Sequence, residues 1–100
     1  MSIKNYDNRR TQIALQAIEL INGPRQDAYG PPDLNMARLA QRWSQRLGIE
    51  VSPVDAAIML VELKLSRLMH SDSADGFRDA IGYIAIAAEV SGVNLADEDE

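Results

Sequence analysis

Lys64 and Arg67 stand three residues apart in a segment that is otherwise largely apolar, and Asp79 stands in a second such segment. Lysine offers a compact charge and arginine a planar fork, so Lys64-x-x-Arg67 has the make-up of a phosphate clamp. Asp79 is costly to bury without partners, and Lys64 or Arg67 across a helix hairpin is the obvious one. Two outcomes follow. The plain one is a structural ion pair, with Lys64 snorkelling from the edge of a core. The functional one is a desolvated cation that meets a phosphate or carboxylate, with Asp79 binding substrate or metal.

Three further groups carry potential chemistry. Asp55, Glu62 and Ser66 fall on one polar stripe, with His70 near its end. They form either a solvated face or, with Asp75 or Asp79, a carboxylate cluster able to hold Mg²⁺ through oxygens. Arg25-x-x-x-Tyr29-Gly30 lies in a Gly- and Pro-bounded loop. There Arg25 and Tyr29 either cap the backbone or reach a phosphate and stack on a base. Arg38, Arg42 and Arg46 recur every four residues. That spacing makes one basic ridge, which is a solvated face or a docking strip for an anionic partner.

These groups must be positioned by helices. The apolar periodicity predicts a first helix over about residues 8–21, with Asp7 as N-cap, and Asn22-Gly23-Pro24 as its stop signal. Residues 25–32 read as an ordered loop. A second helix runs from Pro32 or Asp33 to Leu47, closed by Gly48. Ser52-Pro53-Val54-Asp55 has Ser at N-cap, Pro at N1 and Asp at N3, and opens a third helix to about Met69. A fourth covers about residues 76–90 and is ended by Gly92, with Asp72, Ser73 or Asp75 as its cap. No alternating strand-like run occurs, so the expected fold is an all-α, four-helix bundle-like domain.

The last two helices are apolar on nearly every side. At 100° per residue, Val54, Ile58, Val61, Leu65 and Leu68 form one seam, and Ala56, Met59, Leu60 and Leu63 cover much of the other side. On the fourth helix Phe77, Ile81, Ile84 and Ala88 make one face, while Tyr83, Ile86 and Val90 share the opposite one with Asp79. Such a hairpin is either central to the fold or an interface with another copy of the chain, a homodimer or larger.

The 100 residues are enough for one domain, expected over 1–96, with Asp97, Glu98, Asp99 and Glu100 as a solvated acidic tail. The formal charge of −5 argues against non-specific nucleic-acid binding. Without cysteine, a disulfide framework, a thiolate metal site and a cysteine nucleophile are all excluded. Neither a secretory h-region nor an apolar run of membrane-spanning length is present, which points to the cytoplasm.

Arg25-x3-Tyr29-Gly30, Asn35 with Ala40 and Trp43, Lys64-x2-Arg67 and Asp79-x3-Tyr83, in that order, resemble a family of small phage and prophage proteins of unassigned role. That family is similar to the nucleotide-modification-associated domain and, more distantly, to the all-α nucleoside triphosphate pyrophosphatases of the MazG type. The resemblance covers roughly residues 22–90. It implies that Arg25, Tyr29, Lys64, Arg67, Asp79 and Tyr83 line a shared site, and that helix hairpins pair between subunits. The pyrophosphatases build their Mg²⁺ site from Glu-Glu-x-x-Glu on one helix and Glu-x-x-Asp on the next. Here the third helix offers only Asp55 and Glu62, roughly 10 Å apart along the axis and too far to share one ion.

Two functions compete on this basis. One is binding of a nucleotide or related phosphorylated small molecule, with Lys64, Arg67 and Arg25 on phosphate and Tyr29 or Tyr83 on the base. Its enzymatic form is Mg²⁺-assisted attack of water on a nucleoside triphosphate, with Asp79 and Glu62 as the catalytic, metal-binding carboxylates. The other is a non-enzymatic protein that docks on a host protein through its apolar helix faces and the Arg38/Arg42/Arg46 ridge.

Overall fold

The computed structural model describes residues 8–96, apart from the side chains of Pro24 and Arg25. The expected N-cap Asp7 and the acidic run 97–100 lie outside the described residues. The chain is all α, with helices α1 (Arg9–Asn22), α2 (Pro24–Tyr29), α3 (Pro32–Leu47), α4 (Pro53–His70) and α5 (Ala74–Ser91). No strand occurs among the described residues.

The helix ends follow from short polar signals. Asn8 caps α1 by accepting the backbone N–H of Thr11 at 2.9 Å. At the start of α4 the Ser52 hydroxyl accepts from Asp55 N at 3.0 Å, and the Asp55 carboxylate accepts from Ser52 N at 3.2 Å. This reciprocal box satisfies two orphan donors at once and gives Asp55 a structural role. Ser73 caps α5, accepting from Gly76 N at 3.0 Å. The connection from α3 to α4 is tied by Ser44, whose hydroxyl donates to Ala40 O at 2.8 Å and accepts from Val51 N at 2.8 Å.

The expected loop over residues 25–32 is in its first part a helix. Gly23-Pro24 stops α1, but Pro at N1 also has the φ that a new helix needs, and α2 begins there. It ends where Gly30 takes φ 79° and donates its N–H to Gln26 O at 2.8 Å. A side chain would be strained at that φ.

The core is built from small side chains around one large one. Ala40, Ala56, Ala57, Ala87, Val51, Val61, Tyr83 and Ile86 surround Met36, which is 1% exposed. α4 and α5 form the most extensive helix pair, with α1 packed on α5 and α3 on α4. Close approach is what the glycines of α5 permit. A Cβ at Gly76 would fall 2.7 Å from a methyl of Leu68, and one at Gly82 would fall 3.0 Å from Ile21. The α5 face carrying Tyr83, Ile86 and Val90 turns inward, and the face of Phe77, Ile81, Ile84 and Ala88 turns out.

Met36→Ala removes the largest fully buried side chain from the centre of the core cluster. It should cost about 2–5 kcal/mol in urea unfolding. Ser52→Ala, which removes only the cap, should cost about 1 kcal/mol.

Candidate functional site

Residue 64 of α4 shares a helix flank with Ala57, Val61 and Leu68, the flank that packs on α5. A lysine there can keep its stem among apolar atoms and lift its ammonium only to the edge of the contact. Asp79, in the second turn of α5, meets it. Lys64 Nζ lies 3.1 Å from Asp79 Oδ2, with the two side chains 15% and 24% exposed. The expected pair is therefore present, and it is half-buried on the α1 side of the hairpin.

The pair stands beside a cleft of about 410 Å³ between α1 and the first turns of α5. Gln16, Glu19 and Leu20 line one wall, and Asp75, Arg78 and Asp79 the other. Asp75 and Asp79 are one turn apart on a single face of α5. Arg78 pairs with Asp75 and donates to the Gln16 amide oxygen at 3.2 Å, joining the two walls. Three carboxylates (Glu19, Asp75 and Asp79) thus gather with the cations Arg78 and Lys64, so negative charge exceeds positive by one.

The sequence-predicted residues divide into three groups. Lys64 and Asp79 come together. Arg67 lies one turn further along α4 on an adjoining flank, exposed and without an ion pair among the described residues. Glu62, the expected co-ligand of Asp79, is two residues from Lys64 and so points roughly 200° round the helix. It is exposed, and the structure does not bring it to Asp79.

The tyrosines also separate. Tyr83, expected at the ligand, is 8% exposed and packed in the core. It lies one turn beyond Asp79, where α5 is covered by the other helices. Tyr29 ends α2 and is 56% exposed. A small recess is lined by Gln26 of α2, Pro32 of α3, and Ala85, Ile86 and Glu89 of α5. Those α5 residues are six to ten positions beyond Asp79, about 9–15 Å along the axis. Tyr29 therefore belongs to the opposite end of the α1–α5 groove. The side chain of Arg25 lies outside the described residues.

Gln16, Glu19 and Arg78 enter the site only with the fold. Asp75-x-x-Arg78 is an i,i+3 pair readable on any helix, but which helix would wall it depends on how α1 docks.

Among the described residues no three His, Cys, Asp or Glu side chains are grouped so that they could hold a metal ion. A cage made by the protein alone is therefore not what this cleft offers. What it does offer is two carboxylates on one helix face beside two cations. Mg²⁺ is often bound in that way, by one or two carboxylates and the phosphate oxygens of a ligand.

Residues 12–91 match the domain of unknown function DUF6378. The chain belongs to this family. It is also similar to the Gene 55 protein of Mycobacterium phage L5, at 36% identity over 76 residues, covering 74% of this chain and 49% of the phage protein. The Gene 55 protein of Mycobacterium phage D29 is 33% identical over 72 residues, covering 71% of this chain and 48% of its own length. DUF6378 thus takes in small phage proteins of unassigned role, and this chain spans about half the length of the curated relatives it matches. No solved structure matches significantly. No helix among the described residues is long and apolar enough to cross a membrane.

Asp79→Ala strands a half-buried ammonium and should cost about 1–3 kcal/mol in urea unfolding. The double variant Lys64→Met/Asp79→Leu, which removes both charges and keeps the bulk, should recover most of that loss. A double-mutant cycle measures the coupling.

Proposed function

We propose that this DUF6378 chain works in the cytoplasm as a binder of a nucleotide or related phosphorylated small molecule, held in the cleft between α1 and α5. The observation that carries this reading is the half-buried Lys64–Asp79 pair at the edge of that cleft. An ion pair taken partly out of water adds little net stability, so its placement beside a cleft with further charged side chains in its walls favours a binding role.

Lys64 and Arg78 would meet the phosphate, with Arg67 at the rim. Their carboxylate partners hold both cations in place until an anion takes up part of their hydrogen bonding. Asp79 and Asp75 would supply the protein's share of a Mg²⁺ site and leave the remaining positions to phosphate oxygens and water. An ion held so would neutralise phosphate charge that the two cations leave uncovered. Arg25 and Tyr29 on α2 would serve the far end of the ligand, because a nucleotide is long enough to extend from the cleft toward that end of the groove. With Glu62 turned away, Asp79 lacks its expected second carboxylate from α4, so the reading stops at binding and assigns no bond cleavage.

One observation favours a second reading. Arg38, Arg42 and Arg46 are all exposed on α3, and none has an ion pair among the described residues. Like charges at i,i+4 weaken a helix slightly, so the ridge suits an anionic protein partner, such as a host protein, better than it suits stability.

Melting temperatures read with a panel of nucleoside mono-, di- and triphosphates, with and without Mg²⁺, separate the two. At a ligand concentration of about 100 times Kd the first reading expects about 2.7 kcal/mol of stabilisation, a rise of about 10–20 °C. Asp79→Asn and Arg78→Ala should remove that rise while the far-ultraviolet dichroism stays unchanged. No shift with any nucleotide, with or without Mg²⁺, would leave protein docking as the surviving reading.

A further inference from the structure

α3 turns a strip of cations to solvent. Arg38, Arg42 and Arg46 stand one turn apart on one flank and are all exposed. None of them has an ion pair among the described residues. No Asp or Glu occurs from Leu34 to Ile49, while Asp33 and Glu50 bound the strip at its two ends. Trp43, partly buried, and Leu47, 55% exposed, adjoin the arginines where the flank meets the core. Arg42, Trp43, Gln45 and Arg46 line a hollow of about 540 Å³ there.

We infer that α3 docks an α-helix of a partner protein, one that carries Asp or Glu at every fourth position with apolar residues beside them. The inference rests on the docking reading above and names what the anionic protein must present. Successive arginines are about 6 Å apart along the axis, and carboxylates four residues apart on another helix repeat at the same pitch. Rows of i,i+4 side chains also interdigitate in the commonest class of helix packing, so one register can bring all three guanidinium forks to carboxylates. An extended peptide would need a sheet edge to pair its backbone, and no strand occurs among the described residues. A helix brings its own backbone bonds with it.

The composition of the strip fits a protein interface. Its cations are all arginine, and they stand beside the tryptophan. Arg and Trp are the residues enriched where protein partners bind most strongly. Exposed ion pairs add little each, so Trp43 and Leu47 supply the holding contact and the arginines set register and partner choice. A nucleic acid is the other polyanion that a row of arginines could meet. Its charge would run on past both ends of the strip, over Asp33 and Glu50 and into the field of a chain of formal charge −5. A short acidic helix places charge only where the arginines are. α3 lends no residue to the walls of the α1–α5 cleft, so docking is testable apart from any ligand there.

Trp43 is the chain's one tryptophan, so its emission reads the strip directly. The probe is a labelled, designed helical peptide of about 20 residues, with Glu at every fourth position and Leu along the adjoining row. A shuffled peptide of the same composition scatters the glutamates round the helix. The first peptide should shift Trp43 emission and saturate in anisotropy, and the shuffled one should bind about tenfold more weakly. Arg42→Glu should weaken binding of the first peptide by about tenfold or more, with helical dichroism retained. Arg10→Glu, the same charge change at an exposed site on α1, should not. Equal binding of the two peptides would overturn the helical match and leave docking of an acidic protein standing. No binding of either would sink both. Tighter binding of an oligonucleotide than of the helical peptide, at the same salt, would overturn the inference in favour of nucleic acid.

Discussion

The close contact between α4 and α5 governs the rest of this molecule. It is made by Ala57 and Val61 on one helix and Gly76, Ala80, Tyr83 and Ala87 on the other, most of them with little or no side chain. Small residues let helix axes approach, and a large side chain such as Leu68 fits on the inner face opposite a residue as small as Gly76. Two consequences follow from the one constraint. The seam brings Lys64 within hydrogen-bonding distance of Asp79. The seam uses only one flank of each helix, so Ile58, Leu65, Phe77, Ile81 and Ile84 stay on the outside, where none of the described helices covers them.

The constraint also explains why so much polar chemistry gathers at one end of the hairpin. α5 begins at Ala74 after a connection of only Ser71, Asp72 and Ser73, so its first turns lie opposite the last turns of α4. α1 rests the second half of its length on α5, with Ala17 buried and Ile21 against Gly82, and this places Gln16 and Glu19 opposite Asp75, Arg78 and Asp79. The cleft is thus a by-product of where α1 can rest on a small-residue helix.

What is legible in the sequence is whatever depends on neighbours within a turn. Ser52, Asp55, Ser73, Gly48 and Gly92 act at helix ends within three or four residues of themselves, and all of them sit at the ends expected. Lys64 and Asp79 are legible for a related reason: each is a charge on an apolar flank, and consecutive antiparallel helices are the nearest partners a short connection allows. The differences involve packing between elements distant in sequence. Tyr83 shares a face with Asp79, but only the docking of the other helices decides that the face is closed at residue 83 and open at 79. Glu62 is a carboxylate on the helix next to Asp79, although its position on the α4 projection already turns it away from Lys64. α2 hides in the sequence because Gly23-Pro24 serves as both a stop and a start.

The opposed placement of cleft and apolar face bears on how this family could vary. The Gene 55 proteins of phages L5 and D29 are about twice as long as the segment they share with this chain. Added chain could cover the outer face of α4 and α5 without touching the α1–α5 cleft, since the two lie on opposite sides of the hairpin. The presence or absence of such added chain would then be a choice that concerns the outer face alone. The polar end of the hairpin stands apart from that choice, because it depends on the α4–α5 seam and on α1 alone.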